Sequence, residues 1–375
     1  MMKNVRHIVL PLLAVLALAF ACQRRPLYYM EDIGVKVIVK VLWKAEVYPD
    51  GVKPSGVTLF FFRNGSFYKS VTTADVDSSS VQLEAGRYKL YMISQSPEEF
   101  GRMEFSNLTD FNLASVSVAE TQTKWYTRAP GEELIDNPEM MTVGVSDEFE
   151  VSEENVENYQ YYSYNLKKKT LGLETKADGD QESDPDEELD NIREQVNYYT
   201  IRVPIYPKSI VSQYWVTIYS ENADVLKSVR ASTSGMARTY ELTQDITGDE
   251  EGTQFITQWS LTLDDPITRV GHVDGRITTF GFPHGEQPSE LRDSTLNVSA
   301  LLIDNKTVED YVFNVGDKIT SDTPPTGYRA LYRLIFGSVK EPAIAPPDVR
   351  PEGDASGFDA TVSDWEEGES VEVPM

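Results

Sequence analysis

Cysteine is nearly absent from this chain: Cys22 is the single one among 375 residues. An intramolecular disulfide is therefore excluded, and stability has to come from packed apolar surface. Histidine is almost as scarce, and beyond His7 only His272 and His284 remain. Two imidazoles without a second thiolate are too few for a histidine-based zinc site. Basic residues are in deficit, 34 against 60 acids, for a net charge of −26. Such a surface repels a phosphate backbone, which argues against nucleic acid as a partner. There is no Gly-rich phosphate loop ending in Lys-Ser or Lys-Thr, no dinucleotide fingerprint and no Gly-x-Ser-x-Gly elbow. Carboxylates are abundant, but no pair stands in a distinctive local context. The expectation is a protein that is not an enzyme and that has no metal site.

Long apolar runs are also lacking, with one exception at the amino terminus. Lys3, Arg6 and His7 precede an uncharged stretch from Ile8 to Ala21 that ends directly against Cys22. It contains Pro11 and is shorter than the roughly 20 residues of a bilayer-spanning helix, so residues 1–21 read as a secretory signal peptide. Leu18-Ala19-Phe20-Ala21-Cys22 is a loose lipobox, while Ala19 and Ala21 also fit ordinary signal cleavage. Both routes cut before Cys22. The placement of the lone thiol at the cleavage point favours lipidation, with a covalent diacylglycerol at Cys22 and no other cofactor.

What the chain has in quantity is short alternating segments. Val35, Val37, Val39, Val41 and Trp43 alternate with Lys36, Lys40 and Lys44, the pattern of a half-buried strand. Phe60 to Phe62, then Arg63-Asn64-Gly65-Ser66, then Phe67-Tyr68 predict a tight hairpin on Asn-Gly. Tyr88, Leu90 and Met92 share one face of a strand from Arg87 to Ser94. The theme returns in Tyr199 to Ile205, in Phe255 to Leu263 and in Leu296 to Leu302, the last turned back by Asp304-Asn305-Lys306. Helical periodicity is weak, and the candidate helices are short, near Pro97 to Met103 and Ala231 to Leu242. Many strands with turn signals between them predict an all-β chain of sandwich domains, and about 350 mature residues suggest two.

Two segments stand apart. Lys176 to Glu194 is crowded with acids and almost without apolar residues, so it is expected to be a flexible, solvated insertion of about 167–195. Its Asp178, Asp180 and Glu182 imitate a calcium loop, but Ser183 replaces the turn glycine and Leu189 the final acid. Residues 341–357 are rich in proline and acids and read as an extended connector, after which Phe358, Trp365, Val371 and Val373 suggest a terminal strand. Tyr159, Tyr161, Tyr162 and Tyr164 form a cluster in which Tyr161 and Tyr164 are candidates for stacking on a sugar. The simpler reading makes them strand residues that pack one face and keep the hydroxyl in water.

The terminus Cys22-Gln23-Arg24-Arg25-Pro26-Leu27, the segment Val229 to Leu242 with Ser234-Gly235-Met236-Ala237, and the ending Gly357-Phe358-Asp359 through Trp365 to Val373-Pro374 together resemble a Bacteroidales-type family of fimbrillin-like lipoproteins. That family groups with the anchor and minor subunits of type V pili. The resemblance implies two tandem transthyretin-like β-sandwiches, at 22–206 and 207–375, with Cys22 as acylation site and Ser234 to Ala237 as a structural crossover in the second sandwich, not an active site. It also implies pilin or other fimbrial subunits as partners, joined by β-strand addition, and an outer-membrane location with the sandwiches at the cell surface. Gln23-Arg24-Arg25, where surface-displayed relatives carry acids, leaves the periplasmic face as the alternative. The competing reading is an outer-membrane lipoprotein that binds glycans for polysaccharide uptake through Tyr161 and Tyr164.

Overall fold

The structure, a computed structural model, describes residues 34–47, 53–121, 134–172, 185–256, 258–285 and 294–351. The signal peptide, Cys22, the calcium-like Asp178, Asp180 and Glu182, and the terminal strand expected within Phe358 to Val373 lie outside the described residues. In chain order the strands are β1 (Val35–Val41), β2 (Val57–Arg63), β3 (Ser66–Thr73), β4 (Ser78–Leu83), β5 (Gly86–Ser94), β6 (Met103–Ser106), β7 (Ser115–Val118), β8 (Leu134–Ile135), β9 (Thr142–Val145) and β10 (Phe149–Val151). Helices α1 (Glu153–Thr170) and α2 (Pro185–Tyr199) follow. Next come β11 (Ile201–Ile205), β12 (Lys208–Ser209), β13 (Ser212–Ser220), β14 (Leu226–Ala237), β15 (Thr239–Glu241), β16 (Ile246–Thr247) and β17 (Glu251–Ile256). The series closes with β18 (Gln258–Asp265), β19 (Val270–Thr279), β20 (Thr295–Leu302), β21 (Val308–Asn314), β22 (Ile319–Asp322) and β23 (Leu331–Phe336).

The contacts divide the chain into two units. The smaller takes residues up to Ile38, Ser80–Gly86 and Glu150–Arg202, and so contains both helices. Here the structure corrects the sequence reading twice. The tyrosine segment is helical rather than extended: Ser152 caps α1, its hydroxyl accepting from Asn155 N at 3.0 Å, with Glu153 and Glu154 in the first turn and Lys167 to Lys169 in the last. A cap, acids at the positive end of the helix dipole and bases at the negative end outweigh the strand preference of tyrosine. The acidic segment is also ordered from Pro185 onward. Proline at the start, Asp186 to Glu188 in the first turn and a half-buried stripe of Leu189, Ile192, Val196 and Tyr199 make α2. Lys169 pairs with Glu188, and Tyr162 stacks on Tyr199 at 5.7 Å between ring centroids, so the two helices hold each other.

The larger unit is strand-dominated and holds two sandwiches. In the first, the sheet β12-β9-β5-β2-β3 faces the sheet β16-β15-β7-β6 across a core that includes Phe60, Phe62, Tyr91, Ile93, Val116, Val143 and Tyr240. Tyr91 stacks on Phe60 with centroids 4.7 Å apart, a contact worth about 0.5–1.5 kcal/mol beyond area burial. The β2–β3 hairpin turns on Asn64 (φ 51°) and Gly65 (φ 82°), the positive angles that the Asn-Gly pair predicts. Strands β12, β15 and β16, all beyond the expected boundary at Tyr206, sit in these sheets.

In the second sandwich, β18-β19-β13-β23-β22 faces β21-β20-β14-β17-β8. Tyr214, Val216, Ile218, Leu296, Val298, Ala300 and Leu334 fill the space between them. The alternation of Leu296 to Leu302 is found as expected in β20, and the following turn forms on Asp304, whose carboxylate accepts from Thr307 N at 2.9 Å. Three further expectations need correction. Ala231 to Leu242 is not a helix but strand, with a bulge between Thr233 and Met236. Near Pro97 to Met103 a single 3-10 turn, Pro97–Glu99, leads into β6. The alternating run Phe255 to Leu263 is two strands: β17 ends at Ile256 in one sheet and β18 begins at Gln258 in the facing sheet. The start of the connector is also anchored rather than free. Ile344 is buried in the second core, and its carbonyl accepts from Glu221 N at 2.8 Å.

Candidate functional site

The residues singled out in the sequence fall in different places. Cys22 lies outside the described residues. Tyr161 and Tyr164 are on α1, three residues apart, with Tyr161 61 % exposed and Tyr164 half-buried. Tyr161 packs edge-on against Tyr162, with ring centroids 5.1 Å apart. Ser234 to Ala237 ends β14 in the second sandwich, and after Arg238 the chain continues as β15 in the first.

His284 lies in a loop, with φ 53°. His272 lies within β19. Its Nδ1 is 2.7 Å from Asp264 and its Nε2 is 3.3 Å from Asp274. Its ring also leans on Tyr219. Among the described residues no group of three or more potential ligands is arranged to hold a metal ion.

The sheet edges of the second sandwich are a feature that sequence reading did not locate. A terminal strand leaves one row of backbone groups unpaired, and proteins normally guard it with lysine, proline or shortness. On β21 the guard is Glu309 and Asp310; β8 and β22 are short. Strand β18 is long, QWSLTLDD, has no lysine or proline, and carries its acids, Asp264 and Asp265, only at its C-terminal end. Its register against β19 aligns Trp259 with Gly275, Leu261 with Val273 and Leu263 with Gly271, so the three apolar side chains point to the core side of the sheet. Trp259 packs on the core, its indole N–H donating to Ile256 O at 2.7 Å. Leu261 and Leu263 remain 45 % and 41 % exposed, and Ile267 in the following turn is 93 % exposed. Among the described residues β18 has β19 as its single strand neighbour, and no strand pairs with its second edge.

A family profile described as a domain of unknown function, DUF5119, matches residues 21–257. This chain belongs to the DUF5119 family. The matched span of the DUF5119 chain begins one residue before Cys22 and ends between β17 and β18. No functionally curated protein matches it. Among solved structures, the DUF5119 chain is similar to an adhesin candidate from Bacteroides ovatus, with a TM-score of 0.50 at 12 % identity over 85 % of this chain and 94 % of that one. It is also similar to the fimbrial anchor protein Mfa2 from Porphyromonas gingivalis, with TM-score 0.42, 12 % identity and coverage of 80 % and 90 %. A fimbrilin from the same organism gives TM-score 0.34, 8 % identity and coverage of 84 % and 99 %. The β-sandwich fold read from the sequence is borne out. Among the described residues of the DUF5119 chain no helix is long and apolar enough to cross a membrane.

Proposed function

We propose that this protein is a lipid-anchored component of a fimbria-like adhesive structure, an anchor or minor subunit that joins partner subunits by strand addition along β18. Diacylglycerol on Cys22 holds the chain in the outer membrane, with the sandwiches at the cell surface. The observation that carries the reading is the edge of β18, uncharged from Gln258 to Leu263, where Leu261 and Leu263 lie partly exposed on the core side of the sheet. An incoming strand would complete the backbone hydrogen bonds, and its apolar side chains would cover these leucines. The fold shared with the adhesin candidate along most of both chains supports the adhesive class, and the family match includes Cys22.

The test uses the full chain in its own envelope. Wild type takes up a fatty-acid probe, pellets with outer membrane and captures fimbrial subunits; Cys22→Ala loses the probe and the membrane fraction. Leu261→Lys combined with Leu263→Lys keeps both anchor and melting temperature, because these side chains are already half in water, but loses the captured subunits. Undiminished capture by the double lysine variant ends the assignment to β18, and an unlabelled wild type ends the anchor.

The glycan-uptake alternative draws on one observation, the exposure of Tyr161 on α1. A glycan array on which Tyr161→Ala binds as wild type does would remove it.

A further inference from the structure

The outer face of the sheet β18-β19-β13-β23-β22 carries a row of side chains that neither strand addition nor the anchor uses. Tyr214 and Val216 point into the core, so Trp215 between them points outward. Antiparallel pairing sets Trp215 opposite Arg276 of β19, and parallel pairing sets it opposite Arg333 of β23. The indole stands between the two guanidinium groups, with Arg276 Cζ 4.1 Å and Arg333 Cζ 4.9 Å from the ring. Its N–H donates to Gln213 Oε1 at 2.8 Å. One row along, Thr217 lies between Asp274 and Ile335, and its hydroxyl donates to Asp274 Oδ1 at 2.6 Å. These rows enclose a depression of about 200 Å³ lined by Trp215, Thr217, Asp274, Arg276, Arg333 and Ile335.

The two arginines differ in state. Arg333 Nε lies 2.9 Å from Asp322 but at an angle that makes no hydrogen bond, so its charge is already neutralised. Arg276 is exposed and, among the described residues, makes no ion pair. Its guanidinium fork lies over the indole of Trp215 with no ion-pair partner among the described residues, in a chain of net charge −26. Such a fork matches a carboxylate with two parallel hydrogen bonds. Beside it, Asp274 accepts from the Thr217 hydroxyl through Oδ1 and lies 3.3 Å from His272 Nε2 through Oδ2, and its remaining lone pairs suit a hydroxyl donor and oppose a second anion. Trp215 and Ile335, the latter 52 % exposed, supply apolar surface.

From this set we infer that the depression is a binding site for a single acidic sugar residue, held by its carboxylate on Arg276, by a hydroxyl on Asp274 and by its C–H face on Ile335 and the indole edge. Its volume is below the roughly 300–1,000 Å³ of sites that enclose a drug-sized ligand, and fits one sugar unit. The large negative charge of the chain disfavours a long polyanion, so the ligand is a terminal acidic residue on a neutral glycan. An acidic polypeptide would offer carboxylates but few hydroxyl donors for Asp274.

The test is calorimetric titration of the full mature chain with sialyllactose, with a glucuronate-terminated disaccharide and with neutral lactose. The expected result is saturable binding of at least one acidic sugar, none of lactose, and a loss of tenfold or more in affinity for Arg276→Gln. Arg276→Lys should recover part of that loss, since it restores charge but not the fork. The exposed position of Arg276 leaves the melting temperature of both variants at the wild-type value. The inference is overturned by absence of binding to both acidic sugars, by equal binding of lactose, by equal affinity in Arg276→Gln, or by polyglutamate competing as well as the sugar. None of these results bears on strand capture at β18, so the two proposals fail separately.

Discussion

Replacing Gly235 by alanine tests whether the bulge at the crossover between the sandwiches is set by backbone conformation. Gly235 sits at φ +75°, in the left-handed region, inside the β14 bulge. A Cβ there costs about 1–2 kcal/mol from the conformation alone. It would also meet Ser294 Oγ inside contact distance and Ser294 Cβ at 3.1 Å. Ser294 is buried and begins the approach to β20, whose Thr295 N donates to Ser234 Oγ at 2.9 Å, so it has little room to withdraw. Overpacking of this kind adds about 1–3 kcal/mol, for a total of about 2–5 kcal/mol. Urea unfolding of Gly235→Ala, Ser294→Gly and the double variant separates the two contributions. Removing the Ser294 side chain should recover the steric part and leave the conformational part. A single variant within about 0.5 kcal/mol of wild type, or a cycle that is additive to within about 0.5 kcal/mol, would refute the reasoning.

Two further outcomes follow from side-chain networks. Tyr240 donates to Asp245 Oδ1 at 2.6 Å, and Arg329 reaches the same carboxylate at 3.0 Å and the Tyr240 hydroxyl, tying the first sandwich to the segment that enters β23. Tyr240→Phe should destabilise by about 1 kcal/mol in urea, below the range of about 1.5–3 kcal/mol for a hydrogen bond to a charged group, because the ion pair is more than a third exposed; a change under about 0.3 kcal/mol would show that the hydroxyl is dispensable. At the β20–β21 turn, the Thr307 hydroxyl and the amides of Thr307 and Lys306 hold the Asp304 carboxyl below its ordinary value of 3.8. A folded-state value below the unfolded one means that the turn is stabilised above pH ~3.9 and loses that contribution as pH falls through the lowered value. Carboxyl NMR should show Asp304 titrating below 3.8, and Asp304→Asn should abolish the acid dependence of the turn amides; titration at or above 3.8 would contradict the hydrogen-bond assignment.

Local chemistry was legible from the residues alone. Alternation in Val35 to Val41 and Leu296 to Leu302, the positive angles demanded by Asn64-Gly65 and the side-chain turn on Asp304 are each set by neighbours a few positions away. The lone cysteine behind an apolar leader likewise needs no fold to be read as a candidate anchor. The helices carried local signals as well, Ser152 as a cap and Pro185 as a first residue, but strand-favouring tyrosines and a run of acids concealed them. Contact between the helices, through Lys169 with Glu188 and Tyr162 with Tyr199, adds to those local signals. Sheet membership was beyond the sequence for a related reason. The continuous alternation from Phe255 to Leu263 does not reveal that the chain changes sheets, because period two is the same on either side of a crossing. The row of Arg276, Trp215 and Arg333 joins positions far apart in the chain, and it exists through the pairing of β13 with β19 on one side and β23 on the other. Register between distant strands is decided by which core faces meet, so the side chains it brings together on the outer face are a property of the tertiary structure.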